Sequence, residues 1–391
     1  MPDEHAKRYQ PSSMARFLAC PGSARVNEAW REKFGSESSP FAEEGTKAHE
    51  LAEYKLKRLA GYGDRDYAQL IESYDADPEM QEATDAYVEE IEARLRDLRA
   101  EDKEALLLVE QRLDMSPWAP GCFGTGDAVL IGGRSLQVCD LKYGKGVPVS
   151  AVGNAQARTY ALGAINLFGA LYEFETVTTV IIQPRLDSIT EETLTVDELL
   201  EWGDELREVV DKAEAGEVEF HCGDHCRFCL ARAVCAERAA TALRMFDSGL
   251  AAGPTIPDES IPGILKVLDT AEDWIKDVRA YALSRAVDGM EWSGYYLTRG
   301  RRPNRKWTDE AAAVDTLQKA GLPYARYTKT ELLGPGAIEK LLGKKEFERL
   351  LGGCVSQGEG KLELVPESSG KPRYSAADAA FGDIGTADSN M

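Results

Sequence analysis

Residues 124–144, "GTGDAVLIGGRSLQVCDLKYG", decide the fold. Two apolar runs flank Gly132-Gly133, which reads as a β-hairpin closed by a two-residue turn. Side chains alternate along a strand, so Leu136, Val138, Asp140 and Lys142 share one face. With Gly132-Gly133 as the turn, Ile131 faces Arg134 and Asp127 lies opposite Val138. Asp127 then shares the face of Asp140 and Lys142, diagonal to Asp140. A turn one residue longer would carry it to the opposite face.

Two carboxylates and an ammonium among apolar strand residues are costly unless partnered. A divalent cation would be such a partner, since Mg²⁺ favours a few carboxylates and keeps waters that a phosphate can displace. A neighbouring lysine could orient, or help deprotonate, the water that attacks a phosphodiester. The bland alternative for D-x-K alone is an exposed Asp–Lys pair at a hairpin end, a pattern common by chance.

Outward from the hairpin, "ALLLVEQRLDM" (105–115) reads as a strand before it, and "ETVTTVIIQPRL" (175–186) as a β-branched strand after it. Helices are expected over 42–60 and 78–103, with a shorter one from Ser12 or Ser13 broken at Pro21-Gly22. An alanine-rich helix follows Pro148 with Ser150 as its expected N-cap. Thr195 through Glu198 forms a capping box for a helix running to about 215. The order α-β-β-β-α-β-α indicates an α/β core. His49 recurs with Ala52 and Leu56 at helical spacing and faces the core side, where a lone histidine is usually structural. Gln156 and Tyr160 stand one helical turn apart on one face.

The 391 residues allow two or three domains without disulfide staples. No long apolar run and no signal-peptide core is present, so a cytoplasmic protein with no membrane association is expected. A net charge of −21 argues against a protein that coats nucleic acid with its whole surface, while leaving room for a local basic channel.

Taken in order, Gly45-x-x-x-His49, Gly124-x-Gly126-Asp127, Asp140-x-Lys142 and Gln156-x-x-x-Tyr160 resemble the RecB-type nucleases of the PD-(D/E)xK superfamily. Phage-encoded exonucleases are nearest, and the CRISPR-associated and AddB-type iron–sulfur exonucleases are relatives. The resemblance spans about residues 12–240. It implies a restriction-endonuclease-like core, a mixed β-sheet flanked by helices, and Mg²⁺- or Mn²⁺-dependent exonuclease action on linear DNA, in phage recombination, repair or end processing, with a phage recombination protein as a partner. It implies His49, Asp127, Asp140 and the Leu141 carbonyl as metal ligands and Lys142 as the residue that positions water. Gln156 and Tyr160 would buttress the site and contact DNA. Asp140 stands where many members carry Glu. A zinc-stabilised binding module without catalysis, and a restriction-type endonuclease, are the competing readings.

"HCGDHCRFCLARAVC" (221–235) holds Cys222, Cys226, Cys229 and Cys235 within 14 residues, the density of a zinc or iron–sulfur site. A local zinc site would use those four. The resemblance instead implies a [4Fe–4S] cluster on Cys20 of "FLACPGS" with Cys226, Cys229 and Cys235, a structural clamp on the nuclease domain at 1–245. A linker at 246–260 is expected to lead to an α-rich C-terminal region at 261–375, with helices starting near Thr308 and Thr330, and a mobile tail at 376–391. There Arg299, Arg301, Arg302, Arg305 and Lys306 lie among aromatics that include Trp307, a combination suited to phosphate contact and base stacking. A solvated loop at a strand end is the simpler account of that patch.

Overall fold

The computed structural model describes residues 8–35, 40–61, 78–247, 261–328, 332–358, 360–366 and 370–374. Among them are two compact units that divide after Ile264. None of the described helices is long and apolar enough to cross a membrane.

The first unit opens with α1 (Met14–Ala19), α2 (Ser23–Phe34), α3 (Pro40–Leu59) and α4 (Pro78–Glu101). Strands β1 (Leu106–Asp114), β2 (Phe123–Gly132) and β3 (Ser135–Leu141) follow, then α5 (Ala155–Phe168), β4 (Thr176–Gln183), β5 (Ser188–Thr195), α6 (Val196–Glu214) and α7 (Ala236–Asp247). The strands form one sheet in the order β1-β2-β3-β4-β5. β3 and β4 are parallel, joined by the crossover helix α5, and the other pairs are antiparallel. This is a mixed α/β fold with a five-stranded sheet flanked by helices.

Alternation along the strands feeds two cores. Val129, Ile131, Leu136, Val138 and Val177 pack with Met14, Phe17, Leu162 and Leu206 of α1, α5 and α6. Ala128, Leu130, Cys139, Leu141 and Val180 pack with Leu56, Tyr87 and Ile91 of α3 and α4 on the other face. Each large aliphatic side chain sealed in this way contributes about 1.5–3 kcal/mol, so both faces of β2 and β3 are fixed and strand slippage is opposed.

The hairpin register differs from the one expected. Gly132 pairs with Ser135 and Ile131 with Leu136, so the turn is Gly133-Arg134 rather than Gly132-Gly133. Gly133 takes the left-handed φ of 57° that favours glycine at the first turn position, and its N–H donates to Asp102 Oδ2 at 2.8 Å. The shift is two residues, so every side chain keeps its face.

One further expectation is corrected. The N-cap of α5 is Asn154, whose side chain accepts from Ala157 N–H, and not Ser150; Gly153 at φ 67° breaks the helical path between them. The polar edge strand β5 was not anticipated. In the second unit the helix expected near Thr308 is capped by Asp309 and starts at Glu310, because the Asp309 side chain accepts from Ala312 N–H. Thr330 itself lies outside the described residues, and the next helix starts at Pro335. The capping box at Thr195 and Glu198 is present as read.

The second unit contains α8 (Ile261–Val287, which begins just before the division), β6 (Tyr295–Arg299), β7 (Lys306–Trp307), α9 (Glu310–Lys319), α10 (Pro335–Leu342), α11 (Lys344–Leu351), β8 (Val355–Ser356) and β9 (Leu362–Pro366). β6 pairs with β9 and β7 with β8; the β7–β8 pair packs through Trp307 and Val355 against a small core of Leu317, Tyr327, Ile338, Phe347 and Leu351. Of the expected linker, residues 248–260 lie outside the described residues, as does the whole tail at 376–391.

Candidate active site and cysteine cavity

The observed register, carried one pair beyond Ala128–Cys139, sets Asp127 directly opposite Asp140. Asp127 Oδ2 accepts from the Leu141 N–H across the hairpin at 2.8 Å, and Oδ1 lies 3.2 Å from His49 Nδ1 on α3. Asp140 Oδ1 accepts from Gln156 Nε2 at 3.3 Å. Its Oδ2, buried and without a well-directed hydrogen bond, lies 2.7 Å from Lys142 Nζ. Lys142 also donates to Gln156 Oε1 at 3.1 Å, so one amide at the start of α5 bridges the acid and the base. Tyr160 follows one turn later, and a Cβ at Gly124 would stand 2.9 Å from its ring. That close approach accounts for glycine at the first position of G-x-G-D.

Electrostatics follow from burial. Burial and the charge of Asp127 raise the Asp140 carboxyl above the ordinary range, although Lys142 opposes this. Burial would also raise Asp127, but His49, the Leu141 N–H and Lys142 together hold it low. Burial disfavours an imidazolium at His49, yet Asp127 outweighs it and lifts His49 to about 9. Lys142 likewise is raised against burial by Asp140 and Asp127, and burial pushes the Tyr160 hydroxyl well up. The two carboxylates thus face two cations, a balance suited to buried charge.

Glu110 was not foreseen. It lies across β1 from Asp127 with a left-handed φ of 51°, rare for a non-glycine residue. Burial, and then Asp127, push its carboxyl up to about 7. Its only sequence signal is an acid inside the apolar run "LLLVEQRL".

The second group of cysteines brings together α1 and the segment before α7 in the first unit. Cys20, Cys226, Cys229 and Cys235 line one cavity of about 550 Å³ with Phe220, His221 and Arg238, while Cys222 is outside its lining. Cys20 caps the end of α1, and its Sγ accepts from His221 N–H at 3.5 Å. Asn27, fully buried on α2, donates to Cys229 Sγ at 3.2 Å and accepts from Leu230 N–H at 2.8 Å. Burial raises the Cys20 thiol and, together with Cys226, lifts Cys222 to about 11. As placed, no three His, Cys, Asp or Glu side chains among the described residues stand close enough to hold a metal ion.

In the second unit, Arg301, Arg302 and Lys306 are exposed. Arg299 lies over the Tyr374 ring at 5.2 Å. Arg305 pairs with Glu339 and stacks on Phe347 at 4.7 Å, and the Trp307 indole donates to the Leu333 carbonyl at 3.3 Å. Of the six residues expected to meet DNA, Arg299, Arg305 and Trp307 are thus engaged within the fold.

Residues 5–372 match a family model described as a protein of unknown function, DUF2800. Among solved structures, a Eubacterium rectale protein carrying the provisional name of an exonuclease aligns at 16% identity over 57% of this chain and 88% of that one, with a TM-score of 0.32. The protein SSO0001 aligns at 14% identity over 49% of this chain and 85% of that one, with a TM-score of 0.21. TM-scores this low carry no argument about function.

Proposed function

The chain belongs to the DUF2800 family of proteins of unknown function, and from that premise we propose that it is a Mg²⁺- or Mn²⁺-dependent deoxyribonuclease acting on linear DNA ends. The observation that carries this reading is the mutually bonded set of buried Asp140 with Lys142 and Gln156, beside Asp127, which bonds to His49 and the Leu141 N–H. The donor chemistry fits a hard divalent cation: two close carboxylates, one imidazole and a strand carbonyl at Leu141. Such a cation supplies Lewis-acid polarisation of a phosphoryl oxygen and acidifies water. Lys142 is placed to hold an attacking water and to stabilise charge on the scissile phosphate. Gln156 fixes the Lys142 ammonium relative to Asp140, and Tyr160 stiffens the helix face behind it. The motif resemblance supports a role in DNA end processing, in phage recombination or repair.

At the second cluster we assign a [4Fe–4S] group to Cys20, Cys226, Cys229 and Cys235. Their shared cavity supports this set, while Cys222, whose thiol meets that of Cys226, keeps the local zinc quartet as the alternative. The group would act as a clamp between α1 and the segment before α7. In the second unit, exposed Arg301, Arg302 and Lys306 are the residues we assign to backbone phosphate.

The test is digestion of end-labelled linear DNA with Mg²⁺ or Mn²⁺ by wild type, Asp140→Asn and Lys142→Ala. Each variant should lose roughly 10²-fold or more in rate while keeping its far-ultraviolet circular dichroism. Full activity in both would refute the assignment, and equal cutting of covalently closed circles would turn it toward an endonuclease.

A further inference from the structure

Between Glu291 and Asp309 the second unit carries five cations and no acid, in a chain whose net charge is −21. The fold brings a further cation to them from a distant segment. The Gly300 N–H donates to the Lys361 carbonyl at 2.8 Å, and Gln357 Nε2 donates to the Pro303 carbonyl at 2.9 Å. The loop after β6 thus lies along the loop before β9, so closely that a Cβ at Gly360 would collide with the Gly300 carbonyl. Arg301, Arg302, Lys306 and Lys361 stand exposed on or beside these loops. None of the four forms an ion pair with another described residue. By contrast Arg305, Lys319, Arg349 and Lys371 of the same unit each hold a carboxylate. Glu359, the one acid of the second loop, lies outside the described residues.

β6 leads to these loops with one open face. Thr298 is fully buried, so strand alternation turns Tyr295, Leu297 and Arg299 the other way. Tyr295, at the start of that row, is 50% exposed. Tyr374 lies beside its middle, where its N–H donates to the Leu297 carbonyl, and the Arg299 guanidinium lies over its ring at 5.2 Å. Rings followed by cations without carboxylate partners suit a strand whose bases are unpaired, since bases can stack while phosphates meet the cations. Duplex DNA keeps its bases inside and would use the cations alone.

We propose that the Tyr295–Arg299 face and the two loops at its end form a binding site for single-stranded DNA. Arg301, Arg302, Lys306 and Lys361 take backbone phosphates, Tyr295 stacks one base, and the Arg299–Tyr374 pair carries another. The site needs neither a divalent cation nor the carboxylates of the first unit. It rests on the reading of the chain as acting on DNA, and adds which form of DNA is held and by what.

The test is fluorescence anisotropy of a labelled oligothymidylate of about 20 nucleotides, in EDTA, with the full-length chain. Wild type should bind it roughly tenfold more tightly than a duplex of the same length. Tyr295→Ala should weaken binding roughly tenfold. In the double variant Arg301→Gln, Arg302→Gln the dependence of log Kd on log salt should flatten by about 0.7 for each cation removed. Lys319→Ala, which alters a cation already paired with Asp315, should change neither quantity. Equal or tighter binding of the duplex, tighter binding of oligouridylate, or unchanged binding in both the tyrosine and the arginine variants would overturn the proposal. So would loss of binding in Asp140→Asn, which would place the hold in the first unit. Full DNA cutting by Asp140→Asn would instead overturn the nuclease reading and leave this site standing.

Discussion

His49 and Asp127 hold each other's protonation states: the imidazole is lifted to about 9 and the carboxylate held low. A histidine whose folded pKa exceeds its ordinary value of 6.5 adds stability that is complete below that value and is lost as pH climbs to about 9. Metal-free wild type should therefore lose stability between pH 6.5 and 9, and His49→Gln should flatten that slope in chemical denaturation at fixed temperature. Over the same window the imidazole sheds the proton that competes with a cation, so Mn²⁺ affinity should rise with pH and binding should release a proton. Calorimetry in two buffers of different ionisation enthalpy measures that proton, and its persistence in His49→Gln would remove His49 from the ligand set. The sequence disclosed these partners through spacing and resemblance. Asp127 and Asp140 stayed on one face despite the register error because strand periodicity is two and the error was two. Glu110 was hidden because its reversed φ and its place opposite Asp127 come from tertiary pairing, which no local pattern encodes.

At the scale of elements, α5 decides whether Gln156 reaches Asp140 and Lys142. Asn154 caps it, so Asn154→Ala should cost about 1 kcal/mol and loosen the Gln156 bridge. The measurable outcome is a lower denaturation midpoint with an unchanged slope, accompanied by a fall in nuclease rate. An unaltered midpoint would mean that the loop at 150–154 supports the helix without the cap. The expectation of Ser150 failed for a backbone reason, since Gly153 turns left-handed just before the helix begins. β5 escaped notice because the apolar residues of "SITEETLT" do not follow its alternating burial: Ile189 is on the exposed face and Leu194 on the half-buried one, among Ser, Thr and Glu. An edge strand with one wet face resembles an extended loop in sequence. The capping box at Thr195 was legible because all its determinants lie within four residues.

For the whole molecule, the proposed cysteine clamp would outweigh any single helix. On that proposal Cys20→Ser would remove one ligand and free α1 from a loop of more than 200 residues. Loss of a cross-link that long costs on the order of 5 kcal/mol. On the proposed ligand set, metal content and Tm should fall together in Cys20→Ser, whereas Cys222→Ser should leave both near wild type. The reverse ranking would favour the local zinc quartet. Short cysteine spacing disclosed the 222–235 cluster, but nothing in the chain between it and Cys20 signals their meeting. That link depends on packing around Asn27 and Arg16, which bond to Cys229 and Phe228.

The same span has a consequence in time. Ribosomes add about 5–20 residues per second, so Cys229 is made roughly 10–40 s after Cys20. Until then α1 and α2 lack the segment that accepts from Arg16 and Asn27, and Cys20 waits as a lone thiol. Assembly of the proposed metal group would thus be a late event in biogenesis, possible only after the whole sheet has been synthesised. Ribosome-stalled chains ending before Cys226 should show residues 8–35 open to protease and Cys20 open to alkylation, with both protected once the stall moves well past Cys235.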